Sequence, residues 1–197
     1  ADAADRPPRR FRSGTFCRAL ESLRGSNEVR NAFRPLTVME MMKAFEDARM
    51  DPQIGVIVLT GEGEKAFIAG ADIKEIEQLT DEKEILDALM RVHRIFNKLE
   101  NLPIPTIAYI NGACMGGGLE LALACKYRVL STNEKTKLAF PEIKLGIFPG
   151  FAGTIRAPKL IGLVNALDLI LTGKTVDARK AYKIKFTNKI ADFAKIY

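Results

Sequence analysis

Thr106–Leu130 reads TIAYINGACMGGGLELALACKYRVL. Thr106 to Ile110 favours an extended chain, and Asn111-Gly112 after it is a turn pair. Three glycines follow, Gly116, Gly117 and Gly118. Leu119 to Cys125 is then apolar on every side apart from Glu120, the pattern of a buried helix. Tyr127 to Leu130 returns to strand composition. Strand, helix and strand in so short a span is the unit of a parallel sheet with crossover helices. The stretch predicts an α/β fold.

The same alternation extends in both directions. Ile54 to Leu59 is a nearly continuous apolar run, suited to a strand covered on both faces. Thr60 to Gly63 is a turn, and Lys65 to Ala69 a second short strand. Met39, Met42, Ala44, Phe45 and Ala48 form one face of a helix that Asp51-Pro52 stops. Residues 73–100 read as one or two amphipathic helices, with Thr80-Asp81 as break and cap. Downstream, Lys137 to Phe140 is a strand. Residues 153–171 are two helices parted by Gly162, and Thr175-Val176-Asp177 opens a last helix. Residues 1–26 are rich in Arg, Pro and Ser with no steady period, so an irregular or disordered arm is expected there. Residues 27–197 make the folded domain.

The chain has 197 residues, 47% hydrophobic and 27% charged, which suits one domain with a real core. No run approaches the roughly 18 apolar residues of a membrane span. Cys17, Cys114 and Cys125 are an odd count without metal-type spacing and read as reduced thiols. The net charge of +6 is concentrated at the ends, with Arg6, Arg9, Arg10 and Arg12 at one and Lys180, Lys183, Lys185 and Lys189 at the other. Such ends are either solvated or attract a polyanion. They lack the interleaved aromatics expected of a nucleic-acid surface. His93 is the only histidine, so a metal centre or a nucleophilic triad has little to be built from.

The glycines and two glutamates carry the chemistry. Glycines at a helix start bring backbone close to a partner and leave N–H groups at the positive end of the macrodipole. That makes a seat for an oxyanion; the alternative is close packing of strand on helix. Ala69-Gly70-Ala71-Asp72 is a second small-residue loop after a strand, able to bring another N–H to the same point. Glu120 in a greasy helix needs either a partner, such as Lys126 or Arg128, or a purpose. Glu142 after Pro141 is either an exposed loop carboxylate or a group pointing into a cleft. Two carboxylates beside an oxyanion seat can hold one water between them. One accepts a proton from the water and the other delivers a proton to carbon.

These residues resemble the crotonase (enoyl-CoA hydratase/isomerase) superfamily. The resemblance rests on IGVIVLTGEGEKAFIAGADIKE, IPTIAYINGACMGGGLELALAC and LAFPEIKLGIFPGFAGTIR, in that order. It runs from Ile54 to about Asp192 and is nearest to the hydratase parts of fatty-acid β-oxidation proteins. Residues 28–66 resemble the naphthoate synthase branch of the same superfamily, with the join near Ala66-Phe67.

The resemblance implies a crotonase-like ββα spiral core acting on acyl-CoA thioesters. It implies an oxyanion hole from the N–H groups of Ala71 and Gly117, with Glu120 and Glu142 as the catalytic pair. Arg30, Ala69, Gly70, Asp72, Ile73, Lys74 and Gly116 match positions near the coenzyme A or acyl moiety. Coenzyme A is then part of the substrate, and no separate cofactor or metal is expected. Further implications are a homotrimer or a dimer of trimers, a cytoplasmic setting with the mitochondrial matrix as alternative, and no membrane partner. Family members carry strands ahead of Asn31 and helices beyond Tyr197, so the core is expected to be cut at both ends. The preferred reaction is hydration of a 2-enoyl-CoA to 3-hydroxyacyl-CoA. The alternatives are 3-enoyl-CoA isomerisation, naphthoate synthase-like ring closure, and a non-catalytic acyl-CoA- or RNA-binding fragment.

Overall fold

Among the described residues short apolar runs become strands and longer runs become helices, in a repeating order. The computed structural model describes residues 17–18, 35–70 and 81–192. In order these are β1 (Cys17–Arg18), α1 (Pro35–Met50), β2 (Ile57–Thr60), β3 (Ala66–Ile68), α2 (Glu82–Glu100), β4 (Thr106–Ile110) and β5 (Ala113–Met115). Next come α3 (Gly117–Ala124), β6 (Tyr127–Leu130), β7 (Lys137–Ala139) and a 3-10 turn (Pro141–Leu145). The last described elements are α4 (Gly153–Ile161), α5 (Leu163–Thr172), β8 (Val176–Asp177), α6 (Ala178–Lys183) and β9 (Lys189–Ile190).

The strands form two sheets, ordered β1-β2-β4-β6-β9 and β3-β5-β7-β8. Every pairing is parallel except β7 with β8. Each pass of the chain therefore lays one strand in the first sheet, one in the second, and then a helix. β2, β3 and α2 make one such pass, and β4, β5 and α3 the next. This is the expected ββα spiral. The plain strand–helix–strand alternation is extended in one respect: Ala113–Met115, between the Asn111-Gly112 turn and the glycines, is a strand of the second sheet.

Asn111 shows how consecutive corners are locked. Its side-chain N–H donates to the Gly61 and Gly63 carbonyls at 2.8 and 2.6 Å, and its oxygen accepts from the Gly61 N–H at 3.1 Å. The corner between β2 and β3 is thus tied to the corner between β4 and β5.

α2 begins where the sequence places a cap, with the Asp81 carboxylate accepting the Glu84 N–H at 3.0 Å. It buries Ile95, Phe96 and Leu99 on one face. α3 is buried along its whole length, so it runs through the centre of the molecule. The core around it includes Phe67, Phe96, Phe140, Ile110 and Leu138.

Two further readings change. No strand is legible in residues 11–27, yet Cys17–Arg18 pairs with Ile57 and Val58 as an edge strand; the rest of the expected arm lies outside the described residues. Asp177 stands before the last helix rather than in its first turn: it ends β8 and caps α6, accepting the Lys180 N–H at 2.7 Å.

Candidate active site

Glu120 lies one turn into α3 and is 1% exposed. Its Oε1 accepts two backbone N–H bonds, from Phe151 and Gly153, each 2.7 Å long. Burial pushes its pKa up to about 7. The Gly153 and Phe151 N–H groups oppose that rise, the charge of Glu142 adds to it, and the Arg156 guanidinium opposes it. The ion-pair alternative is set aside by geometry. Arg128 spends its donors on the carbonyls of Cys125, Phe186 and Ala122, at 2.7, 3.0 and 3.4 Å, pinning the end of α3 to the approach to β9. Lys126 is exposed.

Glu142 is the second residue of the 3-10 turn and is 9% exposed, a buried carboxylate rather than a loose loop group. Its Oε2 is buried and has no hydrogen-bond partner among the described residues. Burial raises its pKa, as desolvation does for any carboxylate without enough donors. A buried acceptor left without a donor is costly, so such an atom marks a place where a proton or a polar ligand belongs.

The three glycines divide their tasks. Gly116 has φ +52°, and a Cβ on it would stand 2.8 Å from Glu142 Oε1. It is bare so that Glu142 can sit against it. Gly118 serves packing: its Cβ would meet the Ile68 carbonyl at 2.5 Å, so α3 lies directly on β3. Between them, Gly117 opens the helix. Leu119 and Glu120 N–H groups both donate to the Gly116 carbonyl, which leaves the Gly117 N–H ahead of the helical ladder.

Ala69 and Gly70 leave β3 beside this point. β3 pairs with β5 through Ile68 and Cys114, and Gly70, with φ +112°, faces the Met115 carbonyl at the far end of β5. The Ala69-Gly70 loop and the Gly116-Gly117 helix start therefore follow the C-terminal ends of two neighbouring parallel strands of the second sheet. Arg30, Ala71, Asp72, Ile73 and Lys74 lie outside the described residues. His93 is half-buried on α2. Among the described residues no group of three or more His, Cys, Asp or Glu side chains could hold a metal ion.

Sequence reasoning missed the seat of Glu120. It is built by the turn before α4, where Ala152 takes the left-handed conformation, φ 70°, and turns the N–H groups of Phe151 and Gly153 toward one oxygen. Successive N–H groups around such a residue form a concavity that suits an anion. Gly153 is also required to be bare, because its Cβ would stand 2.9 Å from Glu120 Cγ and Oε1. The signal was present as Gly150-Phe151-Ala152-Gly153 at a helix start. The positive φ falls on the alanine, which no residue preference announces.

A buried pair of carboxylates, a helix-start N–H ahead of the helical ladder and a neighbouring small-residue loop can move protons next to a polarised oxygen. Over 161 residues the chain is 44% identical to the fatty acid oxidation complex subunit alpha of Shewanella halifaxensis, covering 80% of this chain and 22% of that subunit. The corresponding subunit of Vibrio campbellii is 42% identical over 158 residues, again 80% and 22% of the two chains. Among solved structures, the enoyl-CoA hydratase from Bacillus anthracis superposes with a TM-score of 0.79 at 35% identity, covering 85% of this chain and 64% of that one. The Thermoplasma volcanium enoyl-CoA hydratase gives 0.80 at 30% identity, covering 86% and 66%. The chain thus spans less than a quarter of the curated relatives it matches and under two thirds of these hydratase chains. The family model described as enoyl-CoA hydratase/isomerase matches residues 25–194, across both expected branches, and this chain belongs to that family.

Proposed function

We propose that this domain adds water across the 2,3-double bond of an enoyl-CoA thioester to give a 3-hydroxyacyl-CoA, as one step of fatty-acid β-oxidation. The observation that carries the reading is the second carboxylate. Glu142 Oε2 is buried without a donor among the described residues, and Glu142's charge acts on Glu120. A single carboxylate would serve double-bond isomerisation; a pair whose charges act on one another serves a water.

In the reaction the water oxygen bonds to C3 while one glutamate takes a proton from the water. The other glutamate delivers a proton to C2. The electron pair of the double bond moves through C2 toward the thioester oxygen and returns as the C2–H bond forms. The Gly117 N–H is the proposed donor for that oxygen, with Ala71 as the proposed second donor. Two such donors contribute on the order of a few kcal/mol to the transition state. Burial raises Glu120 to about 7, where a carboxyl can give or take a proton near neutrality, and raises Glu142 in the same direction.

Coenzyme A enters as part of the substrate, so the reaction needs no further cofactor. Arg30, Asp72, Ile73 and Lys74, with Ala69, Gly70 and Gly116, are the proposed contacts for it and for the acyl group. A homotrimer, or a dimer of trimers, is the proposed assembly. A cytoplasmic setting is proposed on the two buried free thiols, Cys114 and Cys125. No helix among the described residues is long and apolar enough to cross a membrane.

The test is incubation of the full chain with crotonyl-CoA in D₂O. Hydration yields 3-hydroxybutyryl-CoA with one deuterium at C2. Recovery of unchanged thioester, or of coenzyme A binding without turnover, would refute the reading.

A further inference from the structure

Glu120 is fixed by a turn, and the turn is fixed by one buried arginine. Arg156, in the first turn of α4, is 8% exposed. Its Nη1 donates to the Phe151 carbonyl at 3.0 Å. Its Nε and Nη2 donate to Glu100 Oε2 at 3.0 and 2.8 Å, and Nη2 also reaches Asn97 Oδ1 at 3.0 Å. Phe151 is thus bracketed, with its N–H on Glu120 and its carbonyl on Arg156. The Phe151 ring is seated too, edge-on to Phe96 of α2 at 5.8 Å between centroids. The turn is therefore tied to α2 through a guanidinium fork and a ring contact.

The fork makes geometric sense. The planar guanidinium binds two directions at once, with one edge on the Glu100 carboxylate and the other on the turn. Ala152, at φ 70°, holds a conformation that costs an alanine energy and that relaxes unless its flanks are anchored. Arg156 anchors the flank on one side through the Phe151 carbonyl, while its own N–H bonds the Ala152 carbonyl at 2.9 Å.

We infer that Arg156, braced by Glu100 and Asn97, is a positioning residue that holds the Phe151 and Gly153 N–H groups on Glu120 and so sets that carboxylate's readiness to lose its proton. The inference rests on the proposed role of Glu120 in hydration. The charged groups that act on Glu120 are Glu142, from the 3-10 turn, and Arg156, from α4. Glu100 of α2 faces Arg156 rather than Glu120. β3 and β5, also against α3, bring only the Cys114 thiol, which burial keeps protonated. Arg156 is therefore the one cation acting on the site among the described residues, and it acts by charge and through the turn.

The test follows Glu120 directly and needs no substrate. The glutamate side chains are labelled with ¹³C at the carboxyl carbon and titrated by NMR, and the Glu120 signal is assigned by its loss in Glu120→Gln. Arg156→Gln is expected to bind the Glu120 proton about ten-fold more tightly than the unaltered chain, and Arg156→Lys, which keeps charge without the fork, by less. Amide exchange at Phe151 and Gly153 is expected to speed up in both. If Arg156→Gln does not fold, Asn97→Ala, a charge-neutral change at one acceptor of the guanidinium, is expected to move both readouts in the same direction by two- to three-fold. A folded variant with unchanged Glu120 titration and unchanged exchange overturns the inference. Absence of hydratase turnover in the unaltered chain would refute the proposed function and leave this titration readable.

Discussion

A carboxylate pressed against the Cα of a glycine can be tested by giving that glycine a side chain. Gly116→Ala places a methyl 2.8 Å from Glu142 Oε1 and forces alanine into φ +52°. The backbone strain costs about 1–3 kcal/mol, and Glu142 must leave its seat. We expect turnover to fall on the order of 10²-fold, the scale of losing a positioned proton-transfer group; turnover kept within two-fold would contradict the seat. Glu120 gives a second prediction, this time on stability. Its pKa in the folded chain is about 7 against an ordinary 4.5, so the folded state binds this proton more tightly than the unfolded state. That stabilising contribution is complete below 4.5 and is lost as pH rises through about 7. Glu120→Gln removes the dependence, so urea unfolding should show it gaining about 2–3 kcal/mol on the parent chain between pH 5 and pH 8. An equal difference at both pH values would show that Glu120 is not held as described. Both glutamates were legible in the sequence, because a lone acid in an apolar helix and an acid after proline at a strand end each need a reason. Arg156 was not, because nothing in TIRAPKL distinguishes a buried arginine from an exposed one.

At the scale of elements, α3 sits directly on β3 because Gly118 has no side chain. Gly118→Ala would put a methyl 2.5 Å from the Ile68 carbonyl, and overpacking of that kind costs about 1–3 kcal/mol. Thermal melting should show the loss, and an unchanged midpoint would mean that the helix can slide. The long helices were legible because they carry caps and a face: Asp81 before α2 and Gly162 between α4 and α5 stand where the sequence places them. The shortest strands were not. β5 has three residues, β8 and β9 two each, and no hydrophobic period can be read over so few. They are specified by their neighbours in the sheet rather than by their own side chains, so of the second sheet only β3 and β7 were legible. The left-handed Ala152 belongs to the same class, a backbone state imposed by Arg156 and Glu120 on either side.

At the scale of the molecule, the face formed by α5 and the loop after the 3-10 turn remains apolar and open. Phe148 is 71% exposed and Val164 81%, with Leu163, Leu171 and Leu145 also largely exposed. A patch of this kind marks a surface made to be covered, and the proposed assembly of like chains would cover it. Light scattering should give a multiple of the 21.8 kDa chain, three or six, and Val164→Asp should shift it toward the single chain. A monomer at all concentrations would contradict the assembly. The central claim, however, is that Glu120 and Glu142 act together on one water. A double-mutant cycle on crotonyl-CoA hydration reads that most directly, because groups that work as a unit are not additive. We expect Glu120→Gln and Glu142→Gln each to lower kcat by about 10²-fold or more, and the double variant to fall little below the worse of the two. Losses that multiply, or either single variant with turnover near that of the parent chain, would contradict a shared water.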